Sequence, residues 1–375
     1  MNLETNQICQ LALPGVRALI PYQPGKPMSE LERELGLSRI IKLASNENPK
    51  GPSQKVVSTM QTVLAEVSRY PDGNGFSLKT ALAQHLAVEA TQITLGNGSN
   101  DVLEIIARTF VSESSEVIFS EYAFAVYPIV TQAMGAQAVI SKASVGGEYP
   151  CYGHDLSAML KQVTEKTKLV FIANPNNPTG TFLTSEQLHG FLSSLPKQVL
   201  CVLDEAYFEY VRPEDRSDSV AWLTRFPNLI ITRTFSKAYG LAGMRIGYSV
   251  SSSEVADLLN RVRQPFNTNI VALSAAEAAL ADIDYLSETI ALNDQGMGQL
   301  TTAFSELGLS WIPSKGNFIT VDLGRSALPI YEELLAAGVI VRPVANYGLP
   351  HFLRISIGTE AENLFFINAL TRILD

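Results

Sequence analysis

The chain has 375 residues, of which 46% are hydrophobic and only 17% charged, and a net charge of -9. That length suits two domains sharing an interface, and the apolar content excludes a disordered chain. The acidic balance, with no block of Lys and Arg, argues against a nucleic acid or an anionic membrane as partner but leaves small anionic ligands open.

In chain order, the opening MNLETNQICQ has no basic segment before an apolar stretch, so no secretory signal is expected. No apolar run approaches the ~20 residues of a membrane helix, and the expected setting is cytoplasmic. Residues 1–42 read as an arm: Pro14, Gly15, Pro21, Pro24, Gly25 and Pro27 interrupt any regular element, and only Ser29–Leu37 suits a short helix. Strands are expected at Gln92–Leu95, Glu116–Phe119, Gln137–Ile140, Lys168–Ala173, Val199–Leu203, Asn228–Thr232 and Arg245–Val250. Helices between them include Val102–Val111 and Ser185–Ser194. Near-continuous apolar strands alternating with helices imply an α/β fold with a mostly parallel seven-stranded sheet covered on both faces, over residues 43–267. The Ala- and Leu-rich run Ile270–Leu292 reads as one long helix bridging two domains. Strands near Asn317–Asp322 and Leu353–Ile357 and helices at Pro329–Ala337 and Glu360–Ile373 make residues 268–375 a smaller α+β domain. Cys9, Cys151 and Cys201 are odd in number and far apart, which supports neither a disulfide framework nor a zinc ribbon.

Ligands of open parallel sheets bind beyond the carboxyl ends of the strands, and four polar clusters fall there. Gly96-Asn97-Gly98-Ser99-Asn100-Asp101 joins a strand to a helix, where free N–H groups can meet a phosphate. It lacks the third glycine of a dinucleotide fingerprint, and no GxxxxGK[ST] occurs. Asn174-Pro175-Asn176-Asn177-Pro178-Thr179-Gly180 is an irregular turn presenting Asn side chains. Asp204-Glu205-Ala206-Tyr207 closes an apolar strand with an acid that is costly to bury without a cationic partner, for which a pyridinium nitrogen would serve. Thr234-Phe235-Ser236-Lys237-Ala238-Tyr239-Gly240 follows a strand directly and has Arg245 eight residues beyond Lys237; a desolvated Lys near cations has a lowered pKa and can form a Schiff base. Taken singly, each cluster also fits a structural turn, a helix cap or a surface lysine.

Together, NPNNPTG, DEAY and TFSKAYGLAGMRIGY, in that order, resemble the fold-type I pyridoxal 5′-phosphate (PLP)-dependent aminotransferases of class I/II, and the resemblance runs through essentially the whole chain. It implies that Lys237 carries PLP as a Schiff base and later shuttles a proton. It implies that Asp204 holds the pyridine nitrogen, that Asn177 and Tyr207 bond the phenolic oxygen, and that Tyr122 stacks on the ring. Thr234, Ser236 and Arg245, with backbone donors at Ser99 and Asn100, would bind the phosphate. Tyr70 would reach the phosphate of a neighbouring subunit, which implies a homodimer. Arg354 would clamp an anionic group of the substrate.

Within the family, PYQPGK at residues 21–26, LASNENP at 43–49, RYPDG at 69–73 and the tail from Val341 to Gly358 resemble the branch that acts on histidinol phosphate. Tyr22, Asn46, Arg342 and Arg354 would then bind substrate. The implied reaction exchanges the amino group of L-histidinol phosphate with 2-oxoglutarate, giving imidazole acetol-phosphate and L-glutamate. Relatives acting on aromatic amino acids, and a decarboxylase of threonine phosphate, share the scaffold and stay open at this point.

Overall fold

Seven strands form one sheet in the computed structural model, which describes residues 8–21, 25–37 and 39–375. From edge to edge they are Ile93–Gly96, Gly247–Val250, Leu229–Thr234, Leu200–Asp204, Thr167–Ala173, Glu116–Ser120 and Gln137–Ser141. Gly247–Val250 is antiparallel to both of its neighbours, and the remaining pairings are parallel.

Residues 169–173, 201–204 and 229–234 are buried without interruption, as strands covered on both faces must be. Side chains alternate between two cores, because successive residues of a strand point to opposite faces. Val170, Ile172 and Ile231 pack with Leu188, Phe191 and Ala276 on one face. Leu169, Phe171 and Ile230 pack with Val102, Ile106, Tyr127 and Leu259 on the other.

A smaller antiparallel sheet has the order Arg342–Pro343, Phe352–Ser356, Phe318–Asp322, Ser310–Ile312. Its core gathers Ile319, Val321, Leu353 and Ile355 with Leu300, Phe304, Leu334 and Phe366 from the helices Ile283–Glu306, Ala327–Ala336 and Glu360–Leu374. The segment Ile41–Lys42 pairs in parallel with Val339–Ile340, which ties the N-terminal region to this half. No helix among the described residues is long and apolar enough to cross a membrane.

Helix starts follow local chemistry. Thr184 with Gln187, and Thr359 with Glu362, form reciprocal capping boxes that begin the helices at Ser185 and Glu360. The arm's short helix is Met28–Leu35, ended by Gly36 at φ 64°. Several boundaries shift by one or two residues from the sequence expectation, and three differences have a clear local origin. The helix expected from Val102 begins at Ser99, because Gly98 at φ 87° supplies the turn into it. The strand expected from Arg245 begins at Gly247, since Arg245 itself is left-handed at φ 59°. The run Ile270–Leu292 is not one helix: it breaks after Leu280 and resumes as Ile283–Glu306. Asp282 leaves the helical path there, with its Oδ1 accepting a hydrogen bond from Lys55 Nζ at 2.9 Å. The first of the two helices packs into the core of the large sheet through Ala272, Ala275, Ala276 and Ala279.

Candidate active site

The carboxyl ends of the central strands open onto a cavity of about 200 Å³ that is closed on its far side by Arg342, Tyr347 and Arg354. Lys237 lies just beyond the strand Leu229–Thr234, and its Nζ donates to the Ser45 carbonyl at 3.0 Å. Burial, followed by the nearby Arg354 guanidinium, lowers its pKa to about 7. An amine that can shed its proton at neutral pH is both a nucleophile and a proton carrier.

Asp204 ends its strand with both carboxylate oxygens bonded: Oδ2 accepts from Tyr127 at 2.7 Å and Oδ1 from Thr232 at 3.0 Å. Burial raises its pKa, and these hydrogen bonds, with the Ala206 N–H, oppose the rise. The Tyr127 ring is stacked on Phe171 at 4.4 Å with the planes within 1°, so the hydroxyl is held in place. The Tyr207 hydroxyl accepts from Asn46 Nδ2 at 2.9 Å and Asn177 Nδ2 at 3.1 Å. Burial pushes its pKa up to about 12, which keeps it a neutral phenol.

At the other end of the cavity, Ser99 and Asn100 are the first residues of the helix Ser99–Phe110, whose opening N–H groups lack intrahelical partners. Arg245 Nη1 donates to Ser236 Oγ at 3.3 Å and to the Ala242 carbonyl at 3.0 Å, while Thr234 Oγ1 accepts from the Ser236 N–H at 3.1 Å. Two glycines make room for this arrangement. A Cβ on Gly98 would lie 2.2 Å from Arg245 Nη2, and one on Gly247 would lie 2.5 Å from the Ser99 nitrogen. Hydroxyls, a guanidinium and a helix N-terminus around such a hollow suit a phosphate. A buried carboxylate lies at the opposite end, and an amine of lowered pKa also lines the cavity. That donor set fits PLP, with Asp204 placed to stabilise a protonated ring nitrogen.

The third wall comes from the small sheet and the N-terminal segment. Arg354 Nη1 donates to Asn177 Oδ1 at 2.5 Å and Nη2 to the Ala44 carbonyl at 2.7 Å. Asn46 adopts φ 54°, a conformation Asn tolerates, and its N–H donates to Ser356 Oγ at 2.7 Å. Arg342 and Arg354 are direct cross-strand partners, so their side chains leave the same face of the sheet.

Most residues picked out in the sequence therefore converge: Lys237, Asp204, Tyr207, Asn177, Ser99, Asn100, Thr234, Ser236, Arg245, Asn46, Arg342 and Arg354 all line the cavity. Tyr122 does not. Its ring packs 5.9 Å from Tyr152, within an apolar cluster with Ile312, Val344 and Phe352, and of the aromatics in this turn Phe124 is the one that lines the cavity. The turn after Glu116–Ser120 swings Tyr122 outward and Phe124 in. Tyr70 is 82% exposed and stacked on Phe266 at 4.8 Å, away from this chain's own cavity. Tyr22 lies outside the described residues. Phe124, Tyr127 and Tyr347 were missed; the run Tyr122, Phe124, Tyr127 was the available signal, but only the turn geometry decides which ring faces in.

A mostly parallel sheet, a lysine of lowered pKa at its carboxyl edge and an anion cradle beside a buried carboxylate define a site of the fold-type I class. The chain belongs to the aminotransferase class I and II family, whose model matches residues 38–370. It is 58% identical over 366 residues to histidinol-phosphate aminotransferase 2 of Pseudomonas fluorescens, covering 97% of both chains. It is 56% identical over 367 residues to the protein of that name from Methylococcus capsulatus, covering 98% of this chain and 99% of the other. The solved structure of histidinol-phosphate aminotransferase from Sinorhizobium meliloti, in complex with pyridoxal-5′-phosphate, is 30% identical with a TM-score of 0.88 and 97% of each chain covered.

Proposed function

We propose that the chain is a PLP-dependent aminotransferase that moves the amino group of L-histidinol phosphate to 2-oxoglutarate, giving imidazole acetol-phosphate and L-glutamate. The observation that carries the substrate assignment is the pair Arg342 and Arg354, directly opposed across two strands and both lining the cavity that holds Lys237. Like charges directly opposite each other destabilise a strand pair. A substrate phosphate between the two guanidinium groups relieves that repulsion and matches their fork geometry. The names of the relatives at 56–58% identity support the same reading.

When bound, PLP supplies the electron sink for the pair left as the substrate's Cα–H bond breaks. Asp204, held by Tyr127 and Thr232, keeps a ring nitrogen protonated. Asn177 and Tyr207 donate to the phenolic oxygen, and Phe124 takes the stacking role that the sequence suggested for Tyr122. Thr234, Ser236, Arg245 and the Ser99 and Asn100 N–H groups bind the cofactor phosphate. Lys237 anchors the cofactor and then carries the Cα proton, for which its lowered pKa suits it. Arg342 and Arg354, with Tyr22 and Asn46, orient the substrate.

Residues 43–267 make the large PLP-binding domain, with the helix Ile270–Leu280 packed on it, and residues 268–375 with the arm 1–42 make the smaller domain. The enzyme acts as a homodimer in a reducing cytoplasm. Exposed Leu64, Val67, Tyr70, Phe76 and Phe266 support the first point, and three free cysteines suit the second.

The test mixes the PLP-loaded protein with L-histidinol phosphate, L-glutamate or L-phenylalanine and follows the visible absorbance of the cofactor. Fast conversion by the first two, with phenylalanine far slower, is expected. Fast conversion by phenylalanine but not by histidinol phosphate would overturn the substrate assignment and point to aromatic amino acids.

A further inference from the structure

The start of the helix Ser99–Phe110 presents a puzzle. Its third residue is Asp101, a carboxylate placed beside N–H groups that are read above as binding a phosphate dianion. Such a charge would repel the ligand unless it is turned away and neutralised. Asp101 is absent from the cavity lining, where Ser99 and Asn100 appear. Its Oδ2 accepts from the Asn97 N–H at 2.8 Å and from Asn267 Nδ2 at 2.7 Å.

Asn267 uses its whole amide in this arrangement. Nδ2 donates also to the Leu95 carbonyl at 3.2 Å, and Oδ1 accepts from Arg263 Nη1 at 2.7 Å. The strand end at Leu95 and the first helical turn at Asp101 are thus pinned by one side chain from a segment more than 160 residues away, and Asp101 in turn holds the glycine turn at Asn97. Arg263 is itself fixed, with Nη2 donating to the Gly73 carbonyl at 2.8 Å. Phe266, left-handed at φ 57°, lies under Tyr70. Residues 263–267 therefore brace the cradle of this chain and the loop that carries Tyr70 at once.

We infer that Asn267 is a positioning residue for phosphate binding: braced by Arg263, it turns the Asp101 carboxylate outward and holds the Ser99 and Asn100 N–H groups in line with the cavity. The inference rests on the PLP reading of the site. Asn267 touches neither the cavity nor Lys237, so its effect is confined to the phosphate end. Pyridoxal, which has the same ring and aldehyde but no phosphate, is the control that separates this role from general loosening.

The full chain, freed of cofactor, is titrated with PLP and with pyridoxal while the visible absorbance is followed, for the wild type, Asn267→Ala and Asn267→Asp. Asn267→Ala is expected to weaken PLP at least tenfold and leave pyridoxal within about twofold. Asn267→Asp, which sets a second carboxylate against Asp101, is expected to weaken PLP further at neutral pH. Equal losses for PLP and pyridoxal, or wild-type affinity for both, would overturn the inference. A wild-type chain that binds neither molecule would instead overturn the PLP reading itself. Should Asn267→Ala fail to fold, the isosteric Asn267→Asp carries the comparison alone.

Discussion

Lys237 is a potential cation held where charge is costly, and its cost sets a measurable pH dependence. The folded side chain gives up its proton near pH 7, whereas the unfolded one keeps it up to the ordinary value of 10.5. Between those limits the unfolded state binds more protons, so stability rises with pH; below about 7 both states are charged and the penalty is full. In the cofactor-free protein, Lys237→Met is therefore expected to be more stable than the wild type at pH 6.5. The gap should narrow between pH 7 and 9 by up to about 1.4 kcal/mol per unit. Denaturant titrations at several pH values measure it, and a gap that stays constant would show that Lys237 is not desolvated. At this scale the sequence was most readable where a motif ties a residue to a strand end, as with Asp204, Asn177 and Lys237. It was least readable at Tyr122 and Phe124, two aromatics two positions apart. Which of them enters the cavity depends on how the chain turns after Glu116–Ser120, and that turn is set by packing against the small sheet.

Elements hold the site together from behind. Asp204, Thr232 and Thr234 line or support the cavity, so the period of two sends Glu205 and Arg233 to other surroundings. There Arg233 Nη2 meets Glu205 Oε2 at 2.8 Å with both side chains buried, and the guanidinium lies 3.6 Å from the centre of the Phe208 ring. This pair joins the ends of the two strands that deliver Asp204 and Lys237. Removing one partner leaves the other buried without its hydrogen-bonded counter-charge, so Glu205→Leu is expected to cost about 3–5 kcal/mol. Glu205→Leu with Arg233→Met removes both charges and should cost clearly less than the sum of the two single changes. Urea unfolding of the four proteins measures the coupling, and strict additivity would show that the pair does not act as a unit. Strands of the large sheet were legible to within a residue or two, most of them because burial on both faces leaves an uninterrupted apolar run. The short strands Ser310–Ile312 and Arg342–Pro343 of the small sheet were not foreseen. The break in Ile270–Leu292 was not legible, because the Ala- and Leu-rich run reads as helix throughout, while Asp282, where it breaks, has its partner Lys55 227 positions away. Local composition carries no trace of such a partner.

At the scale of the whole molecule, the exposed apolar residues Leu64, Val67, Tyr70, Phe76 and Phe266 surround a loop whose tyrosine has no role in its own chain's cavity. A two-fold dimer would cover this surface and carry each Tyr70 to the other subunit's cradle. The arrangement can be tested without a structure of the dimer. On the proposed dimer, Lys237→Ala removes the reacting amine and Tyr70→Ala would remove a phosphate contact supplied to the partner, so each homodimer would be impaired at both of its sites. A hybrid dimer gathers both defects at one site and leaves the other with an intact Lys237 and an intact Tyr70. Random reassortment of equal amounts makes half of the dimers hybrids, so roughly a quarter of all sites should regain wild-type turnover. Tyr70→Ala alone is expected to bind PLP more weakly, which cofactor titration checks independently. If Tyr70 served its own chain instead, the intact lysine and the intact tyrosine would never meet at one site. Mixing would then give only the average of the two parent activities.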